Sequence, residues 1–192
     1  MIGWKAFDNL LRDPGADSAA VDAAGKEAAW ESIHFPAIHV LNSWRVWQEA
    51  ILREADARSS VGGSGLAYDA GGLGVRVQTT PANTFEKGMV ELVDAGAILR
   101  RARVAYAEAE ADYISAVSAS GLSERERDVL MLRYLRGGLS YSNIAARCGF
   151  RTTSGARKAV MRAEEKWIET VYERAISPVL RWVEERKENK LC

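Results

Sequence analysis

A chain of 192 residues has the length of one ordinary domain, or of two small ones and a linker. Its 26 basic and 26 acidic residues cancel, so no global charge draws it to nucleic acid or to a membrane. A hydrophobic share of 47% excludes wholesale disorder. No run approaches the roughly 18 apolar residues of a membrane span, and the opening Met1-Ile2-Gly3-Trp4-Lys5 lacks the pattern of a signal peptide. Cys148 and Cys192 make no disulfide framework. The expectation is a cytoplasmic protein that makes no membrane contact.

In chain order, Trp4, Phe7, Leu10 and Leu11 recur at helical spacing and predict a short helix ending at Asp13-Pro14-Gly15. Pro36 is expected to interrupt a second helical stretch. A third runs over 37–58, with Leu41, Trp44, Gln48, Ile51 and Ala55 forming its inward stripe. Residues 59–83 are rich in Gly and Ser and read as a linker; within them 74–79 alternate as a short strand would. Their Gly62-Gly63-Ser64-Gly65 and Gly71-Gly72-Leu73-Gly74 clusters are not followed by Lys-Ser or Lys-Thr, so a phosphate loop is not expected.

A long helix should begin near Asn83, an N-cap with Glu86 three residues on. Phe85, Met89, Leu92, Gly96, Leu99, Arg103, Tyr106, Glu110, Tyr113 and Val117 then follow at alternating spacings of four and three. That seam, interrupted by Arg103 and Glu110, predicts an antiparallel hairpin with 37–58, or an intermolecular coiled coil in its place.

The mean charge hides a division. Between Gly121 and Trp167 ten basic residues stand against five acidic ones, giving +5, and the rest of the chain carries −5. Here Ser123-Glu124-Arg125-Glu126 spells a capping box. Gly137-Gly138 is a helix stop, and Ser140 can cap a short helix over 141–147. Gly149 supplies the positive φ of a sharp turn and Phe150 fills its angle, with the small Ala145 four residues before Gly149. A third helix is predicted from about Thr153 through Glu165. One face carries Ala156, Val160, Ala163 and Trp167; the other carries Ser154, Arg157, Lys158, Met161 and Arg162. A thin apolar strip backed by a basic, polar strip is what a major-groove reader needs, so the pattern predicts a DNA-binding helix-turn-helix. Its contacts are expected from Arg151, Thr152, Thr153, Ser154, Arg157, Lys158 and Arg162. Arg forks onto guanine acceptors, while Lys, Ser and Thr hold phosphates.

The run from Gly121 to Leu135 (GLSERERDVLMLRYL), followed by Leu139-Ser-Tyr-Ser-Asn-Ile-Ala-Ala-Arg-Cys-Gly149, resembles region 4 of the bacterial sigma-70 family. Upstream, Tyr68, the Arg76-Val77-Gln78-Thr79-Thr80-Pro81 segment and the long helix are similar to small phage-encoded regulators of the RinA and ArpU type. The resemblance covers about 37–167. It implies contact with a −35 promoter element through the last helix, bacterial RNA polymerase as a candidate partner, and the cytoplasm of a host cell. The turn from Gly149 to Ala156 is one residue longer than the usual sigma version. No second segment matches the sigma region that melts DNA, so a complete sigma factor is not expected.

The fold class expected is thus all-α: a helical hairpin, a sigma region 4-like helix-turn-helix and C-terminal helices. The segments are 1–58, 59–83, 84–120, 121–167 and 168–192. His34 and His39, separated by Pro36, lack the further ligands of a metal site. No catalytic constellation is legible, so neither enzyme activity nor a cofactor is expected. Two further readings stand beside promoter recognition: a DNA-packaging protein like a small terminase subunit, and a polymerase-binding module with little DNA affinity. After Trp167 helices continue to Pro178 and resume after it, where Ile176, Val179, Leu180 and Val183 form an apolar stripe. Either the stripe folds back on the domain or it joins two copies. One small DNA-binding module buries only about 600–1,000 Å², so a homodimer held by these C-terminal helices is expected.

Overall fold

The structure, a computed structural model, describes residues 2–13, 16–62 and 82–188. The glycine clusters from 63 onward, Tyr68, the alternating stretch 74–79 and the 76–81 segment lie outside the described residues. Among those described, every element is helical: α1 (Ile2–Arg12), α2 (Ser18–Gly62), α3 (Ala82–Ala119), α4 (Glu124–Tyr134), α5 (Tyr141–Cys148), α6 (Thr153–Val171) and α7 (Ser177–Glu188). No helix among them is long and apolar enough to cross a membrane. The chain forms two compact units, one of Met1–Leu41 with Ala109–Cys192 and the other of Asn42–Glu108. This division differs from one at 58, 84 and 120, because α2 and α3 each supply one part to each unit.

Pro36 does not interrupt the helix. It lies within α2, where the missing N–H forfeits one backbone bond to the Ser32 carbonyl and costs about 3 kcal/mol in an exposed helix. Ile33, Ala37 and Val40 bracket it on one face and are all buried; that burial holds the helix through the proline. Lone periodicity could not weigh the two effects.

In the first unit, Phe7, Ala16, Val21, Ala24, Ala28 and Ile176 form one buried cluster, against which Trp4, Leu10, Leu11, Tyr172, Val179 and Leu180 pack. The approach is close. A Cβ on Gly3 would lie 3.0 Å from the Ala28 backbone nitrogen, and one on Gly25 would run into the Ile176 side chain. The cluster's polar rim is satisfied: Trp4 Nε1–H donates to Ser32 Oγ at 2.8 Å, and the Tyr172 hydroxyl donates to Asp22. Lys26 first, and Tyr172 second, hold the Asp22 carboxyl below its ordinary range, while the same bond raises the Tyr172 hydroxyl to about 12. The C-terminal stripe is thus covered in part from within the chain, with Ile176 buried against α1 and α2 and Val179, Leu180 and Val183 half-buried.

Between α6 and α7 the helix passes through a π-helical turn, Tyr172–Ile176. Pro178, second in α7, lacks an N–H and its ring presses on the carbonyl four residues back, at Arg174. The wider turn relieves both.

In the second unit the observed inward faces agree with those expected in part. On α2 Ala50 is buried and Trp44 and Trp47 are half-buried, whereas Ile51 and Ala55 are exposed. On α3 Ala95, Ala102 and Tyr106 are buried, and Arg103 is exposed. The α3 seam keeps Tyr106 and otherwise passes through Ala95 and Ala102, each one position before an expected member, Gly96 or Arg103, because small residues let helices approach. Tyr106 stacks on Trp47 at 5.2 Å and meets Trp44 edge-on at 5.1 Å. At the other end a Cβ on Gly88 would touch Val61 at 3.2 Å. Since 47 lies by 106 and 61 by 88, the two segments run antiparallel. α3 starts at Ala82, one residue before the expected cap; the side chain of Asn83 lies outside the described residues.

Candidate nucleic-acid interface

The segment from Ser123 builds three short helices by local rules. At the head of α4 the Glu126 N–H donates to Ser123 Oγ, and the Ser123 N–H donates to Glu126 Oε2 at 2.8 Å. The capping box is complete. Helix α4 closes through a 3₁₀ turn, Leu135–Gly137, in which Arg136 takes a left-handed φ of 53°. Ser140 then caps α5, its Oγ accepting from the Asn143 N–H.

The turn between α5 and α6 is tight. Gly149 adopts φ 69°, a left-handed conformation that costs other L-residues roughly 1–2 kcal/mol. Its N–H and that of Phe150 both donate to the Ala145 carbonyl. Thr152 is the N-cap of α6, its hydroxyl accepting from the Gly155 N–H at 3.0 Å. A Cβ on Gly155 would sit 3.3 Å from that hydroxyl, so glycine leaves room for the cap despite its propensity cost of about 1 kcal/mol.

Three of the four inward residues of α6, Ala156, Val160 and Ala163, are 1% exposed or less, and Trp167 is 3% exposed. Tyr113 meets Trp167 and Tyr134 edge-on and donates its hydroxyl to the Leu130 carbonyl. Burial pushes the Tyr113 hydroxyl well above its ordinary range. The outward residues Ser154, Arg157, Lys158, Met161 and Arg162 are all exposed, as are Arg151, Thr152 and Thr153 in the turn.

Two acidic residues of the segment are drawn into bonds that join α4 and α6. Glu164 accepts from the Tyr134 hydroxyl. Glu126 accepts from Lys166 Nζ at 2.8 Å, joining the start of α4 to α6 and neutralising the lysine nearest the end of the basic strip. Lys166 first, then Ser123, lowers the Glu126 carboxyl to about 2. A folded pKa below the ordinary 4.5 stabilises the fold above pH 4.5, and that contribution is lost as pH falls from about 4.5 towards 2. Both partners are partly exposed, so the bond contributes about 1 kcal/mol. Glu126→Gln should therefore lower urea-unfolding stability by about that amount at pH 7, and match the parent chain near pH 2. Parallel pH profiles for the two proteins would contradict the assignment.

The structure thus brings Arg151, Thr153, Ser154, Arg157 and Lys158 to the first two turns of α6 and the loop before it. Thr152 is set apart by its capping bond, so it positions the helix. Arg162 sits a turn further on and lines a shallow depression with Arg125, Phe150 and Ala159. Arg125 was missed. Its guanidinium lies 4.9 Å from the centre of the Phe150 ring, which brings a cation of α4 to the α5–α6 turn. Its position two residues after the Ser123 cap was a signal only if the α4–α6 packing was already known. His34 and His39 both lie on α2 and stack on Trp30 and Phe35, one turn upstream. Compared with known protein families, curated proteins and solved structures, the chain matches none.

Proposed function

We propose that the chain is a sequence-specific DNA-binding transcription regulator of phage or prophage type. It reads duplex DNA with α6, as the second helix of a helix-turn-helix similar to sigma region 4. The observation that carries the reading is the division of α6 into a buried strip of Ala156, Val160, Ala163 and Trp167 and an exposed strip containing Arg157, Lys158 and Arg162. The strip begins at a capped N-terminus behind a left-handed glycine. The start of α6 and the adjacent Arg151 suit a phosphate, and the next turn reaches base edges. With about 600–1,000 Å² buried by such a module, a second anchor is needed, and bacterial RNA polymerase fits the sigma-like reading.

The test is a selection of bound duplex fragments from the genome of origin, followed by competition with random DNA. The proposal expects a common sequence bound at least about a thousandfold more tightly than competitor, with affinity falling steeply as salt rises. Fragments bound without sequence preference would overturn it.

A further inference from the structure

The second unit exposes a helical face that the α2–α3 pairing does not use. On α3, Val90, Val93, Ala97, Arg100, Val104 and Ala107 recur at alternating spacings of three and four, which keeps a row on one side of a helix over successive heptads. Val90, Val93 and Val104 are 61%, 64% and 56% exposed. Each of Val93 and Val104 lies two residues, about 200° of helical rotation, from a buried alanine, Ala95 or Ala102. This row therefore lies opposite the seam that faces α2.

In a heptad frame Val90, Ala97 and Val104 occupy a, and Val93, Arg100 and Ala107 occupy d. The flanking e positions are Lys87, Asp94, Arg101 and Glu108. Their charges alternate in sign along the helix, and all four are exposed. Among the described residues, only Lys87 has an ion-pair partner, Glu91, at a loose 4.0 Å.

We infer that this face is a homodimer interface in which two copies of α3 pack antiparallel. An alternating row read backwards is its own complement. With the two-fold axis between Ala97 and Arg100, Lys87 meets Glu108 of the second copy and Asp94 meets Arg101 of the second copy, each pair twice. Val93 then faces Val104 of the second copy, and Val90 faces Ala107. Arg100 lies across the small Ala97 of the second copy. Parallel pairing would set Arg100 against its own copy, leave Asp94 and Arg101 opposite the uncharged Met89 and Gly96, and keep only the Arg103 pair with Glu108 of the second copy. Charge thus selects the antiparallel arrangement, the role flanking positions play in helix pairing.

Sedimentation of the full chain over a wide concentration range tests this. The chain should show a monomer–dimer equilibrium. Arg101→Glu sets like charges together twice and should raise the dissociation constant at least about tenfold. Combining it with Asp94→Arg exchanges the charges and should restore dimerisation, with helical content unchanged throughout. A chain that stays monomeric at every concentration overturns the inference. A dimer indifferent to Arg101→Glu, or a double variant no tighter than the single one, overturns it as well.

Discussion

Replacing Arg157 and Lys158 together by alanine should weaken binding to the selected duplex by between about tenfold and a thousandfold, with the fold intact. A bidentate arginine–guanine contact is worth about 1–3 kcal/mol, and loss of a lysine–phosphate contact lowers the salt slope by about one unit. Both side chains are exposed on α6, outside the buried strip that begins at Ala156, so thermal unfolding should be unchanged. Titration of a labelled duplex at two salt concentrations separates the two contributions. Equal affinity of parent and double variant, both folded, would remove α6 from the interface.

The second large effect concerns stability. Ile176→Ala should lower the unfolding free energy by about 2–4 kcal/mol, the range for truncating a fully buried aliphatic side chain. Ile176 fills the space over Gly25 among Phe7, Val21 and Ala28, where α1 and α2 cannot follow an alanine inwards without losing their own contacts. Urea unfolding measures the change directly, and an unshifted midpoint would show that the N-terminal cluster does not hold the C-terminal helices. By the same reasoning, removing residues 177–192 should destabilise the first unit, since Val179 and Leu180 pack on that cluster.

What the sequence made legible was local. Ser123 with Glu126, Ser140, Gly149 and the start of α6 at Thr153 were each readable within four residues, because caps and left-handed glycines act through backbone bonds to near neighbours. The buried and exposed strips of α6 were legible for the same reason. The helix running through Pro36 was not, since its outcome depends on burial of Ile33, Ala37 and Val40 by distant segments. Nor was the part that Ala50, Ala95 and Ala102 take in the α2 and α3 seams: alanine carries a weak hydrophobic signal, yet its small size decides how closely helices pack. The partner of the C-terminal stripe was illegible too, because it lies some 150 residues away in sequence, at the Tyr172–Asp22 bond.

The central claim is that the outer face of α6 reads DNA. Mapping backbone amide shifts of the isotopically labelled protein on titration with the selected duplex tests it most directly. The account predicts that the large shifts concentrate between Arg151 and Arg162, with Arg125 the main addition from α4, and that Ala156, Val160 and Ala163 move only as neighbours. Shifts centred elsewhere, with 151–162 unchanged at saturating DNA, would contradict it.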